Sequence, residues 1–102
     1  MIAKLTYGVF EPLLNQSFLI HYGNSETLPV TLTEATRWGL TPETPEQAEN
    51  RPFSLVFQST IRQHLPQGTF QISHEILGDQ QIFIVPLAPN AVGIQYQAVF
   101  NP

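Results

Sequence analysis

The sequence predicts an all-β domain, a small six-stranded antiparallel barrel or roll with a short N-terminal helix. Apolar and polar residues alternate with a period of two in several separate stretches, as strands buried on one face require. Gly, Pro and Asn punctuate those stretches, and no interval between them suits a crossover helix, so parallel pairing is excluded. At 102 residues the chain has material for one core, and a single domain over 1–102 is expected. Hydrophobic residues make up 42%, with seven Phe, three Tyr and one Trp, enough to fill a compact interior.

Residues 6–14 place Tyr7, Phe10 and Leu14 at helical spacing behind Thr6, a potential N-cap. Gly8 and Pro12 limit this helix to one or two turns packed over an open end of the sheet, with Phe10 and Leu14 as anchors. Residues 16–22 alternate through Phe18, Ile20 and Tyr22 and end at the turn Gly23-Asn24-Ser25. A partner strand is expected over 27–38, with Leu28, Val30 and Leu32 on one face. Pro29 lacks an amide donor and so belongs at an edge or a bulge. Residues 39–50 hold Pro42, Pro45 and three Glu with almost no apolar content, which predicts an exposed acidic loop.

Phe53, Leu55 and Phe57 mark the clearest core strand, which leaves Ser54 and Gln58 on the solvent side. Residues 69–74 alternate again through Phe70 and Ile72, and Leu77-Gly78-Asp79 makes a short turn. Residues 81–87 are apolar on both faces, predicting a central strand that Pro86 stops. After the turn at Ala88-Pro89-Asn90, the final strand carries Ile94, Tyr96, Ala98 and Phe100 on one face. Only Asn101 and Pro102 follow it, so this strand is expected to be an uncovered edge.

Blocks in the second half are more specific than alternation: Arg51-Pro-Phe-Ser-Leu-Val-Phe, Leu65-Pro-Gln-Gly-Thr-Phe, Ile82-Phe-Ile-Val-Pro-Leu and Tyr96-Gln-Ala-Val-Phe-Asn. With Phe10-Glu-Pro-Leu and Gln16-Ser-Phe, they resemble a family of short bacterial domains of unknown function. The resemblance spans nearly the whole chain, the acidic loop being its least matched part. It implies an architecture and no active site. Domains of this kind are linked to phage-tail-like or collar-type assembly proteins, and the resemblance implies a similar setting.

Charged residues are only 12% of the chain, so Gln, Thr and Ser carry much of the surface. Such a surface repels its own copies weakly. Net charge is −4, and the four basic residues Lys4, Arg37, Arg51 and Arg62 are scattered, so a nucleic-acid footprint is missing. Cysteine is absent, which removes disulfides, thiolate metal sites and a Cys nucleophile together. The N-terminus lacks a signal-peptide pattern, and no apolar run is long enough to span a membrane. A cytoplasmic protein, or one incorporated in a larger particle, is therefore expected, without membrane insertion.

Catalytic patterns do not converge. His21, His64 and His74 have no ligand spacing, and the strand positions of His21 and His74 suit solvent-facing side chains. No nucleophile elbow surrounds a Ser, no carboxylate pair stands out, and the Gly residues are isolated, so neither an enzyme nor a cofactor site is expected. Arg37 and Trp38 form the most unusual pair, either an interface anchor or a Trp closing the barrel end beside a capping Arg. The expectation is a non-enzymatic structural or interaction domain that joins a protein partner or copies of itself through strand edges. Arg37, Trp38, Gln95, Gln97 and Val99 are its candidate contacts. The alternative is a small barrel carrying an apolar ligand, lined by Phe18, Phe53, Phe57, Phe70, Phe83 and Tyr96.

Overall fold

The computed structural model describes residues 5–37 and 52–101, so the expected acidic loop and Trp38 lie outside the described residues. A one-turn helix, α1 (Tyr7–Phe10), runs into a 3-10 turn (Glu11–Leu13). Six strands follow: β1 (Ser17–Tyr22), β2 (Glu26–Arg37), β3 (Phe53–Ser59), β4 (Gly68–His74), β5 (Gly78–Pro86) and β6 (Ile94–Phe100). They close a barrel in the order β1-β2-β3-β6-β5-β4, every pair antiparallel. The expected all-β architecture is the one observed.

Alternation builds the interior directly. Phe18 and Ile20 from β1, Leu28, Val30 and Leu32 from β2, and Phe53, Leu55 and Phe57 from β3 are buried. Ile72, Ile82, Ile84, Ile94, Tyr96 and Ala98 complete the ring from the other strands. At the end where β3 begins and β6 ends, Phe53 and Phe100 stack with ring centroids 4.6 Å apart. Phe10 of α1 lies 6.1 and 5.8 Å from those rings, so the helix closes this end, as its spacing predicted. Leu13 is the second buried anchor, with Leu14 only partly covered. Thr6 holds the N-cap position without a side-chain cap bond; its carbonyl accepts the Val9 amide at 3.1 Å.

One irregularity in β2 keeps charge out of the core. Leu32 pairs with Phe57 and Glu34 with Val56, which leaves Thr33 as the extra residue of a β-bulge. Strict alternation from Leu28 would turn Glu34 and Thr36 inward. The bulge shifts the phase by one, so Ala35 packs on the core while Glu34 and Thr36 are exposed. The Thr33 hydroxyl donates to the Val56 carbonyl at 3.2 Å, bridging the break in the ladder.

Three expectations need correction. β6 is not an uncovered edge, because it lies between β3 and β5. β5 is not buried on both faces: Ile82 and Ile84 point inward, whereas Phe83 is 51% exposed. Gln58 is not a free surface residue, since its Oε1 accepts the Asn90 side-chain amide at 2.9 Å and its Nε2 donates to the Ser59 carbonyl at 2.8 Å. Pro29 does lie where expected. β2 pairs with β3 only from Thr31 onward, so Pro29 has β1 alone as its neighbour.

Where β3 ends and β6 begins, backbone and side chains interlock. Asn90 Oδ1 accepts the amides of Val92 and Gly93 at 3.1 and 2.8 Å, and Arg62 donates to the Asn90 carbonyl at 3.1 Å. The fully buried Tyr96 hydroxyl donates to the Gln63 carbonyl at 3.0 Å and accepts the Leu65 amide at 3.1 Å, tying the β3–β4 connection onto the barrel. Burial pushes the Tyr96 phenol above 10.0; the Leu65 hydrogen bond opposes this, and the nearby Tyr22 adds to it.

Gly93 passes so close to β3 that a Cβ would lie 2.1 Å from the Ser59 carbonyl oxygen. Gly93→Ala is expected to cost more than ~2 kcal/mol in urea unfolding, because rigid backbone blocks the methyl. Gly78→Ala is expected to cost about 1 kcal/mol, since Gly78 has open space around it and only its φ of 79° resists substitution. Equal losses would mean that the Gly93 approach is not a constraint.

Tyr96→Phe is expected to cost about 1–3 kcal/mol at neutral pH, because it strands the Leu65 amide. The folded state favours the protonated phenol, so this stability is present below pH 10.0 and lost as pH rises through the higher folded value. Unfolding followed from pH 8 to about 11 should show a smaller alkaline loss in the variant than in the parent chain. Parallel losses would remove Tyr96 as the titrating group.

Candidate functional site

The ladder between β5 and β6 is where the barrel is least complete. It holds two residue pairs, Val85 with Gln97 and Pro86 with Tyr96, extended by a hydrogen bond from the Leu87 amide to the Gln95 carbonyl at 2.8 Å. Among the described residues, nothing pairs with the facing edges of β5 from Gly78 to Ile84 or of β6 from Ala98 to Phe100. The register of the closed part would put Phe83 opposite Val99; both lie on the outer face, about half exposed, at 51% and 55%. A cleft of about 290 Å³ opens there, lined by Leu5, Gln81, Phe83, Val99 and Asn101 among others.

None of the described residues that line it is charged. Natural edge strands are protected by Lys, Pro or bulges. The one-sided stretch of β2 has Pro29 for this purpose, whereas Gln80 to Ile84 on β5 offers only amides and apolar groups. Pro86 lies at the closed end and blocks nothing along the open part.

Three of the five candidate contacts, Gln95, Gln97 and Val99, lie in one row on the outer face of β6, opposite Gln58, Val56 and Ser54 of β3. Gln95 and Gln97 are partly buried between the neighbouring strands, so Val99 projects furthest. Arg37 is elsewhere. It ends β2 and places its guanidinium 4.7 Å from the centre of the Tyr7 ring, a contact worth about 0.5–1 kcal/mol at an exposed site. Phe83 was missed as a contact residue. Its strand reads as doubly buried because the sequence does not reveal that its outer face has no covering layer.

The histidines play parts that the sequence did not indicate. His74 is buried and does not face solvent. Its Nδ1 accepts the amides of Ile76 and Leu77 at 3.1 and 3.2 Å, which places the proton on Nε2, and Nε2 donates to Gln16 Oε1 at 2.7 Å. This ring therefore shapes the β4–β5 turn. His21 Nε2 and Ser73 Oγ are 2.6 Å apart across the β1–β4 pairing. Among the described residues, no three His, Asp or Glu side chains gather as metal ligands, and no helix is long and apolar enough to cross a membrane.

A family model described as a domain of unknown function (DUF6916) matches residues 5–100. No curated protein and no solved structure matches the chain.

Proposed function

We propose that this chain, which belongs to the DUF6916 family, is a non-enzymatic building or accessory subunit of a larger protein assembly. The assembly would be bacterial and phage-tail-like, and the subunit would act in the cytoplasm or within the particle. The observation that supports this reading is the open β5–β6 seam. Among the described residues, two strand edges face each other there without a ladder, beside the exposed Phe83 and Val99, in a cleft whose described lining is uncharged. Backbone groups supply affinity in strand addition, and apolar side chains along the edge supply burial. A second copy of the chain or an extended segment of another subunit meets both needs. A low-charge Gln and Thr surface adds little repulsion between copies.

Light scattering of the purified chain at low and high salt checks the reading. Oligomers are expected to persist in salt, because screening weakens charge attraction and leaves backbone pairing and apolar burial nearly untouched. Phe83→Lys and Val99→Lys are expected to dissociate them while changing stability by about 0.5 kcal/mol or less, since both side chains are exposed. Thr36→Lys, on the outer face of β2, is the control and should leave the oligomer intact. A strict monomer at high concentration in every variant would remove self-association.

A further inference from the structure

A second cleft, of about 450 Å³, lies beside the β1–β2 hairpin and is lined by residues that the seam does not use. Two aromatic rings form part of its wall. Tyr22 continues the inward phase of Phe18 and Ile20, Phe70 that of Ile72, and both are partly buried against the core at the rim of the barrel. Polar groups surround them. His21 and Gln71 are direct partners across β1 and β4, and Glu26 is opposite Tyr22 across the hairpin. Ser25 and Thr69 present exposed hydroxyls. Ser73 Oγ, 2.6 Å from His21 Nε2, orients that imidazole and occupies one of its two nitrogens.

Backbone strain marks the same place. Ser25 has φ of 69°, a left-handed conformation that is unfavourable for a residue with a Cβ and costs Gly almost nothing. Gly23 takes the same conformation two residues earlier at φ of 57°, and Gly would serve the turn equally well at position 25. Asn15, the other non-Gly residue at positive φ, is of a type that tolerates it. A serine at this position, where the turn suits Gly, places a hydroxyl at the edge of a cleft, and strained residues concentrate where they serve a ligand.

We infer that this cleft binds a neutral saccharide unit. Charge disfavours anions, since the described lining includes Glu26 and neither Lys nor Arg. Glu26 is exposed and therefore solvated, whereas recognition of an organic cation calls for a desolvated aromatic cage. Purely apolar ligands would leave the His21, Ser25, Thr69 and Gln71 groups unmatched. A pyranose satisfies the whole set: its C–H face packs on the Tyr22 and Phe70 rings, and its hydroxyls both donate to and accept from the amide, imidazole, hydroxyl and carboxylate groups.

Titration of the isotope-labelled chain, followed by amide NMR, tests the site with glucose and N-acetylglucosamine, each free and as its methyl glycoside. The free sugar and the glycoside separate a soluble ligand from the end of a glycan, and saturation by either supports the inference. Shifts are expected to centre on residues 21–26 and 69–71 and to saturate at about 1–20 mM, the range of a small polar contact. Gln71→Ala is expected to weaken binding about three- to tenfold, as the loss of one or two hydrogen bonds does. Ser25→Gly separates function from turn geometry: it should raise the melting temperature while lowering affinity by a similar factor. No saturable shift with any of the four sugars, saturation by choline or inorganic phosphate instead, or unchanged affinity in both variants would overturn the inference.

Discussion

The barrel is held shut at its weakest ladder by two residue pairs, and Tyr96 makes so short a ladder sufficient. One neighbour of Tyr96 is Pro86, across the seam, and the other is the fully buried Phe57 of β3. Its ring is fully buried, and its hydroxyl anchors the connection that leads from β3 to β4. One residue thus joins β6 to the core and to the chain segment beyond Ser59 through its side chain, and to β5 through its backbone. Pro86 cannot donate to the ladder, so the next bond, from the Leu87 amide to the Gln95 carbonyl, extends the join by one step. Beyond Val85, in the direction of Phe83, the described residues provide no further pair and the ladder stops.

Most of the fold was legible because burial on one face imposes a period of two. Phe53, Leu55 and Phe57, and equally Ile94, Tyr96 and Ala98, needed no tertiary information to be placed inside. The resemblance to a short uncharacterised domain was legible in the same blocks, and the family match over residues 5–100 agrees with it. The errors arose where a partner, not the strand itself, decides the outcome. Whether β6 is an edge depends on both of its neighbours, and antiparallel strands as distant in sequence as β3 and β6 give no local sign of pairing. Phe83 looks like core by composition, yet a closed ring of strands has one inside, and its outer face remains wet unless another layer covers it. The Thr33 bulge left a trace in the run Leu32-Thr33-Glu34-Ala35, where alternation fails for one step.

Site chemistry was less legible for a related reason. The Gln residues of β6 were identified from composition and outward phase, and they do form an outer row. Their depth, half sunk between neighbouring strands, depends on the packing of adjacent side chains. His21 and Ser73 are 52 positions apart in sequence and meet only because β1 and β4 close the ring. His74 was read as a lone strand-end histidine, but in the fold it stands in for the backbone acceptors that the β4–β5 turn lacks. Ser25 had a visible turn context and an invisible conformation, since Gly-Asn-Ser does not say which residue takes the left-handed position.

The seam and the hairpin cleft suit different kinds of recognition. At the seam, the unsatisfied groups are backbone amides and carbonyls in a line, bordered by apolar side chains, and such an array selects another extended chain. At the hairpin cleft the available groups are side-chain hydroxyls, an amide, an imidazole and a carboxylate around two rings, an array without linear repeat that selects a compact polar molecule. Different parts of the fold build them: the first results from the two-pair ladder between β5 and β6, the second from the end of the three-pair ladder between β1 and β4, which stops at His21 and Gln71. A closed barrel with only 12% charged residues can carry both, because no dense shell of Lys and Glu must be displaced before either surface is approached.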